Sequence, residues 1–257
     1  MAGIDNDATP AAHANDNDNG DEGVGDGNDD TRAANITPAV NITPVLDDGR
    51  QFRCMNDEFS PCQTGQYTMN LSRKVISNHF GRNKACTRLV KDWPLFCRKH
   101  YQRATYKPQL WQRRKVNLIL RQFDIIEEQL KETLKEQFKG ITYNVHLKKA
   151  EEARLNEFSR KVANGISYET AAEAVAANTK VKSFQAPIKV LRELENFLGD
   201  GKDLETCQEA MKVILDMLSK GETSEVPSIE FLPNIPPEAA TVSRINAKGG
   251  IQRPRCT

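Results

Sequence analysis

The 257-residue chain is poor in the features that mark membrane proteins and familiar enzymes. Nowhere do about eighteen apolar residues follow one another, so no membrane span is expected. It has no phosphate-cradling G-x-x-x-x-G-K-S/T, no G-x-G-x-x-G after a strand, no G-x-S-x-G and no H-E-x-x-H, so nothing points to an enzyme. The opening MAGIDNDATP has neither the basic stretch nor the apolar run of a signal peptide. The cysteines are therefore expected in a reducing compartment, where clustered Cys and His hold metals more often than they form disulfides. Aromatic residues are missing altogether from residues 1 to 48. Such a segment buries too little apolar surface to offset its ordering entropy.

Cysteine is scarce, and its distribution is uneven. Four of the six cysteines and two of the four histidines fall between Arg53 and Arg103. Charge is uneven too, although the formal total is only +1. Residues 1–50 carry eleven Asp or Glu against Arg32 and Arg50, a net of −9. Residues 51–121 carry fifteen Lys or Arg against three acids, a net of +12, and the rest is close to balanced at −2. The chain thus reads as an acidic tail (1–50), a basic Cys/His module (51–107), a helical region (108–220) and a second polar tail (221–257). Both tails are expected to be disordered. The duplicated hexapeptides NITPAV and NITPVL at 35–46 read as a microduplication.

The expected fold is mainly α, with a small zinc-stapled module leading into a long helix. Ser72–Phe80 is expected to form two helical turns capped by Ser72 and stopped by Gly81. Pro94 is expected to start a second short helix carrying Cys97, His100 and Tyr101. From Pro108 to about Phe138, apolar residues recur at steps of three and four, which predicts one long helix. Its stripe can pack against downstream helices or form a coiled-coil dimer seam. Further helices are expected near 147–163, 168–178, 187–198 and 203–219, with Asp203 capping the last. No strand series stands out.

Cys97-x2-His100 is a chelating pair, because both side chains can reach one small cation, and it sits where a helix start favours thiolate. Cys54, Cys62 and Cys86 compete for the two remaining places of a tetrahedral zinc site. His79 is a weaker candidate, better read as a packed or solvent-facing residue. Cys207 reads as a core residue and Cys256 as a free thiol in the tail.

GRNKACTR at 81–88 and CRKHYQR at 97–103 resemble a zinc-binding block found in a group of filamentous-fungal proteins. The likeness covers roughly residues 53 to 106. The spacing Cys86-x10-Cys97-x2-His100 is also similar to the last three ligands of the plant WRC motif, an element of three cysteines and one histidine in DNA-binding regulators. The plant motif keeps a shorter gap before its second cysteine than the twenty-three residues between Cys62 and Cys86, which leaves the first ligand open.

Around the ligand candidates lie Arg73, Lys74, Arg82, Asn83, Lys84, Arg88, Arg98, Lys99 and Arg103, suited to phosphates and base edges. The expectation is a nuclear, regulatory zinc protein that binds DNA, with RNA as a second possibility. The competing expectation is a protein-interaction adaptor in which zinc is purely structural and the helical region binds a partner or a second copy. Arg113-Arg114-Lys115 can be read as a localisation patch.

Overall fold

Short strands and longer helices follow one another in the order β1 (Ser72–Lys74), β2 (Leu95–Cys97), α1 (Arg98–Thr105), α2 (Pro108–Leu134), β3 (Tyr143–Leu147), α3 (Lys149–Ala163), α4 (Tyr168–Ala174), α5 (Ile188–Leu194), β4 (Gly199–Lys202), α6 (Leu204–Lys220) and β5 (Ile229–Pro233). The computed structural model describes residues 48–82, 84–87, 90–177 and 183–235. The two expected disordered tails, apart from 48–50 and 221–235, lie outside these residues, as do Asn83, Arg88 and Cys256. No helix among the described residues is long and apolar enough to cross a membrane.

The two longest helices follow directly from their periodicity. In α2, Val116, Ile119, Phe123, Ile126, Leu130 and Leu134 are all buried, and Pro108 sits in a first turn whose N–H groups need no helical partner. In α6, Cys207, Ala210, Met211, Ile214 and Met217 form the buried stripe. Asp203 accepts a hydrogen bond from the Thr206 amide at 2.8 Å, and Gly221, at φ +73°, ends the helix in the left-handed conformation. α2 packs on α6, so the apolar seam of α2 is consumed within the chain rather than left for a coiled-coil partner.

A three-stranded antiparallel sheet, ordered β4-β3-β5, contradicts the expectation of no strands. Tyr143, Val145 and Leu147 of β3 point into the core opposite Pro233, Phe231 and Ile229 of β5, while Asn144 and His146 are half-buried. The expected second tail therefore begins with ordered structure, since β5 lies within it. Phe123 joins this sheet to α2, with ring centroids 5.2 Å from Tyr143 and 5.1 Å from Phe231.

Two expectations for the basic module are also corrected. Ser72–Lys74 is a strand, paired antiparallel with β2, and Ser77–His79 is a single 3₁₀ turn. Two isolated turns of helix are too short to offset the cost of nucleation, whereas the strand pair gains inter-strand hydrogen bonds and buries Ile76, His79 and Phe80. Pro94 precedes β2 rather than a helix, and α1 starts only after Cys97, its N-cap. Gly81 does stop the segment, at φ +67°; a Cβ there would also run into Leu232 of β5.

The module and the helical region share one core. Phe80 lies 5.3 Å from Phe123 of α2 and 6.4 Å from Phe231 of β5, and Trp111 of α2 stacks edge-on against Phe96 and Tyr101.

Candidate metal centre

Cys54 precedes a 3₁₀ turn at Met55–Glu58, and its carbonyl accepts the Asp57 amide at 2.8 Å. Asp57 in turn accepts the Cys62 amide, and the Tyr67 hydroxyl donates to the Cys62 carbonyl. This fixes the loop between the two thiols. Cys97 ends β2 and caps α1, its sulfur accepting the His100 amide at 3.4 Å, which sets His100 one turn into the helix on the same side.

These folds bring Cys54, Cys62, Cys97 and His100 together, with all four ligand atoms within 4.8 Å of one another. Cys62 Sγ and Cys97 Sγ are 3.8 Å apart, far beyond a disulfide bond. His100 Nδ1 is 3.4 Å from Cys97 Sγ and 3.5 Å from Cys54 Sγ. A tetrahedral ion with metal–sulfur bonds of about 2.3 Å and metal–nitrogen bonds of about 2.0–2.1 Å requires S···S edges of about 3.8 Å and S···N edges of about 3.6 Å. The three separations above are close to those edges and all four donor atoms lie within 4.8 Å of one another, so the four residues can hold a metal ion.

The surroundings treat the two upstream thiols differently. Burial pushes the Cys54 thiol up to about 12, against the pull of the Cys97 and Asn56 amides, and the charges of the other two thiols add to the rise. Burial also works to raise Cys62, but hydrogen bonding from the Thr64 hydroxyl and amide and from the neighbouring thiols leaves it below its ordinary value. Thr64 Oγ1 lies 3.3 Å from both Cys62 Sγ and Cys97 Sγ. Burial, with the charge of Arg103 next, lowers the His100 pKa and favours the neutral imidazole a metal needs. A cation in the cluster would offset both the burial of Cys54 and the mutual repulsion of the thiolates.

Cys86 stands apart from the cluster, on a 3₁₀ turn at Ala85–Thr87, in the field of Lys84 and Glu230. Its place in the chain is close enough to Cys97 to qualify, but the β1–β2 pair carries the intervening chain away and returns Cys54 and Cys62 instead. Cys207 is a core residue, as its stripe implies.

His79 is packed rather than ligating. It is 3% exposed, and Nδ1 lies 2.9 Å from the Ile229 carbonyl of β5, to which it donates as the Nδ1–H tautomer. Burial and then the charge of Lys115 hold its pKa down at about 3, with the Ile229 hydrogen bond pulling the other way. The unfolded histidine titrates near 6.5, so the neutral form's contribution is complete above that pH. It fades as pH falls towards 3, because the unfolded chain takes up a proton that the native site refuses. Between pH 6 and 4 the stability of wild type should therefore fall about 1.4 kcal/mol per pH unit faster than that of His79→Asn, which keeps a donor but no titrating ring. Parallel urea-unfolding curves for the two proteins over this range would rule the idea out.

The basic candidates divide. Arg98, Lys99 and Arg103 are exposed on α1, the helix that carries His100 and is capped by Cys97. Lys74 and Arg82 are exposed and Arg73 is half-buried, while Lys84 is paired with Glu230 at 2.7 Å. The Arg113-Arg114-Lys115 patch is partly structural. Arg114 donates to the Met55 carbonyl at 2.9 Å, and its guanidinium lies over the rings of Phe59 and Phe96. Thr64 carries no signal in the sequence that would single it out, and the basic triplet marks Arg114 only as a surface charge.

No protein-family model, curated protein or solved structure matches the chain.

Proposed function

We propose that the chain is a zinc-dependent DNA-binding regulator of the nucleus, in which a closed zinc site holds a basic recognition surface. Three thiolates and an imidazole in tetrahedral array are the donors a structural zinc takes, and four protein ligands leave no open position for catalysis. The observation that carries the reading is α1. Its first turn is anchored by Cys97 and His100, and its exposed side presents Arg98, Lys99 and Arg103. Each such cation can neutralise a phosphate and release a counterion.

The test is the Arg98→Ala, Arg103→Ala double variant of the full chain, titrated with duplex and single-stranded DNA from about 50 to 200 mM salt. Two lost phosphate contacts should flatten the slope of log K against log salt by about 2, with metal content unchanged. If wild type binds neither form of DNA at the lowest salt, the DNA reading fails.

A different surface favours the adaptor reading. Val162, Ile166 and Tyr168, exposed by 40%, 37% and 48%, lie together in sequence across the α3–α4 connection, where a partner protein can dock. Loss of partner binding on Tyr168→Ala, with α1 irrelevant, is the result that reading requires.

A further inference from the structure

Phe59, in the loop between Cys54 and Cys62, is 72% exposed although it is a large apolar side chain. Its ring is held in place. The Arg114 guanidinium sits over it, 4.4 Å from the centroid, and the same guanidinium is 4.7 Å from the centroid of the buried Phe96. Arg114 is in turn fixed by the Met55 carbonyl in the turn that precedes Phe59. Phe96, Arg114 and Phe59 thus form a stack that is anchored in the core at one end and open to water at the other. Leaving so much aromatic surface exposed costs hydrophobic stabilisation, and the cation–π contact with Arg114 favours the pose in which one face of the ring lies on the guanidinium and the other faces water.

The setting restricts what can lie on that ring. Its two acidic neighbours are occupied: Asp57 pairs with Arg50 at 3.2 Å, and Glu58 pairs with Arg121. Arg53 is exposed beside Cys54, and Arg98 and Lys99 adjoin the ligand pair that closes the same metal cluster. A flat ring with an arginine on its inner face, in a module rich in exposed cations, suits a flat aromatic group carried by a polyanion. In a duplex both faces of each base are already stacked, so the strand offered to Phe59 has to be unpaired.

Building on the nucleic-acid reading, we infer that Phe59 is a preformed stacking platform for an unpaired nucleobase, and that the module takes single strands in preference to duplex. Arg98, Lys99 and Arg103 then hold the phosphates of the same strand, and the metal fixes the distance between the platform and those cations. Arg114 is a positioning residue that acts through the ring.

The experiment uses the full, metal-loaded chain and a labelled mixed-sequence DNA strand of about 20 nucleotides, free or annealed to its complement, with the matching RNA strand in parallel. Wild type should prefer the single strands to the duplex. Phe59→Ala should weaken single-strand binding by about 5- to 100-fold, the usual effect of removing one base–aromatic stack, and leave the salt slope and the circular dichroism spectrum unchanged. Phe59→Trp should keep the affinity, and the fluorescence of the added indole should be quenched as the strand is titrated in. The relative affinity for the DNA and RNA strands distinguishes the two sources of unpaired bases. Single-strand binding by Phe59→Ala equal to wild type, or a preference of wild type for duplex, overturns this inference and leaves the nucleic-acid reading standing. Failure of wild type to bind any of the probes overturns both.

Discussion

Cys97→Ser is expected to abolish metal retention and to unfold the protein around its metal centre. Serine is a good helix N-cap, so the hydrogen bond from the His100 amide survives the substitution and the loss falls on the thiolate. Structural zinc contributes on the order of 10 kcal/mol to small domains, while a whole domain is stable by only about 5–15 kcal/mol. A loss of at least about 5 kcal/mol is therefore expected, with metal content falling from about one equivalent to near zero. A chelator should do the same to wild type. Cys86→Ser is the matched control, and it should keep the metal because Cys86 lies outside the cluster. Elemental analysis and thermal melts of both variants decide the matter. A Cys97→Ser protein that retains metal and melts like wild type would sink the proposed ligand set.

Phe80→Ala should cost about 3–5 kcal/mol, the range for emptying a buried phenylalanine site. The ring is fully buried and meets Trp93 at 5.8 Å, as well as Phe123 and Phe231. Its removal opens a cavity where β5, α2 and the metal module converge. Because those elements share one core, metal release and loss of helical signal should move to lower temperature together. Two separated transitions, with the helical signal unaffected, would show instead that the module unfolds on its own.

What could be read from the sequence depended on the length of each pattern. α2 repeats its apolar spacing over seven turns and α6 over almost five, so chance alternatives are few and both were legible. The strands are three to five residues long. Tyr143–Leu147 does alternate apolar and polar residues, but five positions cannot be separated from the start of the following helix by periodicity. Ser72–Lys74 became a strand only because Leu95–Cys97 comes to lie beside it, a contact no local pattern encodes. The metal site shows the same division. Residue types and the x2 spacing marked Cys97 and His100, since both lie on one helix start. The choice of Cys54 and Cys62 over Cys86 depended on how the chain loops back across the thirty-four residues between Cys62 and Cys97.

The hydrogen bond from His79 to the Ile229 carbonyl spans 150 positions of chain, and it sets a schedule for synthesis. The four candidate metal ligands are all synthesised by residue 100, yet the strand that covers Phe80 and accepts from His79 is not complete until Pro233. At about 5–20 residues per second the nascent chain waits on the order of ten seconds with that surface uncovered. A message truncated before codon 229 would yield a chain that carries all four candidate ligands but cannot bury the aromatic surface behind them.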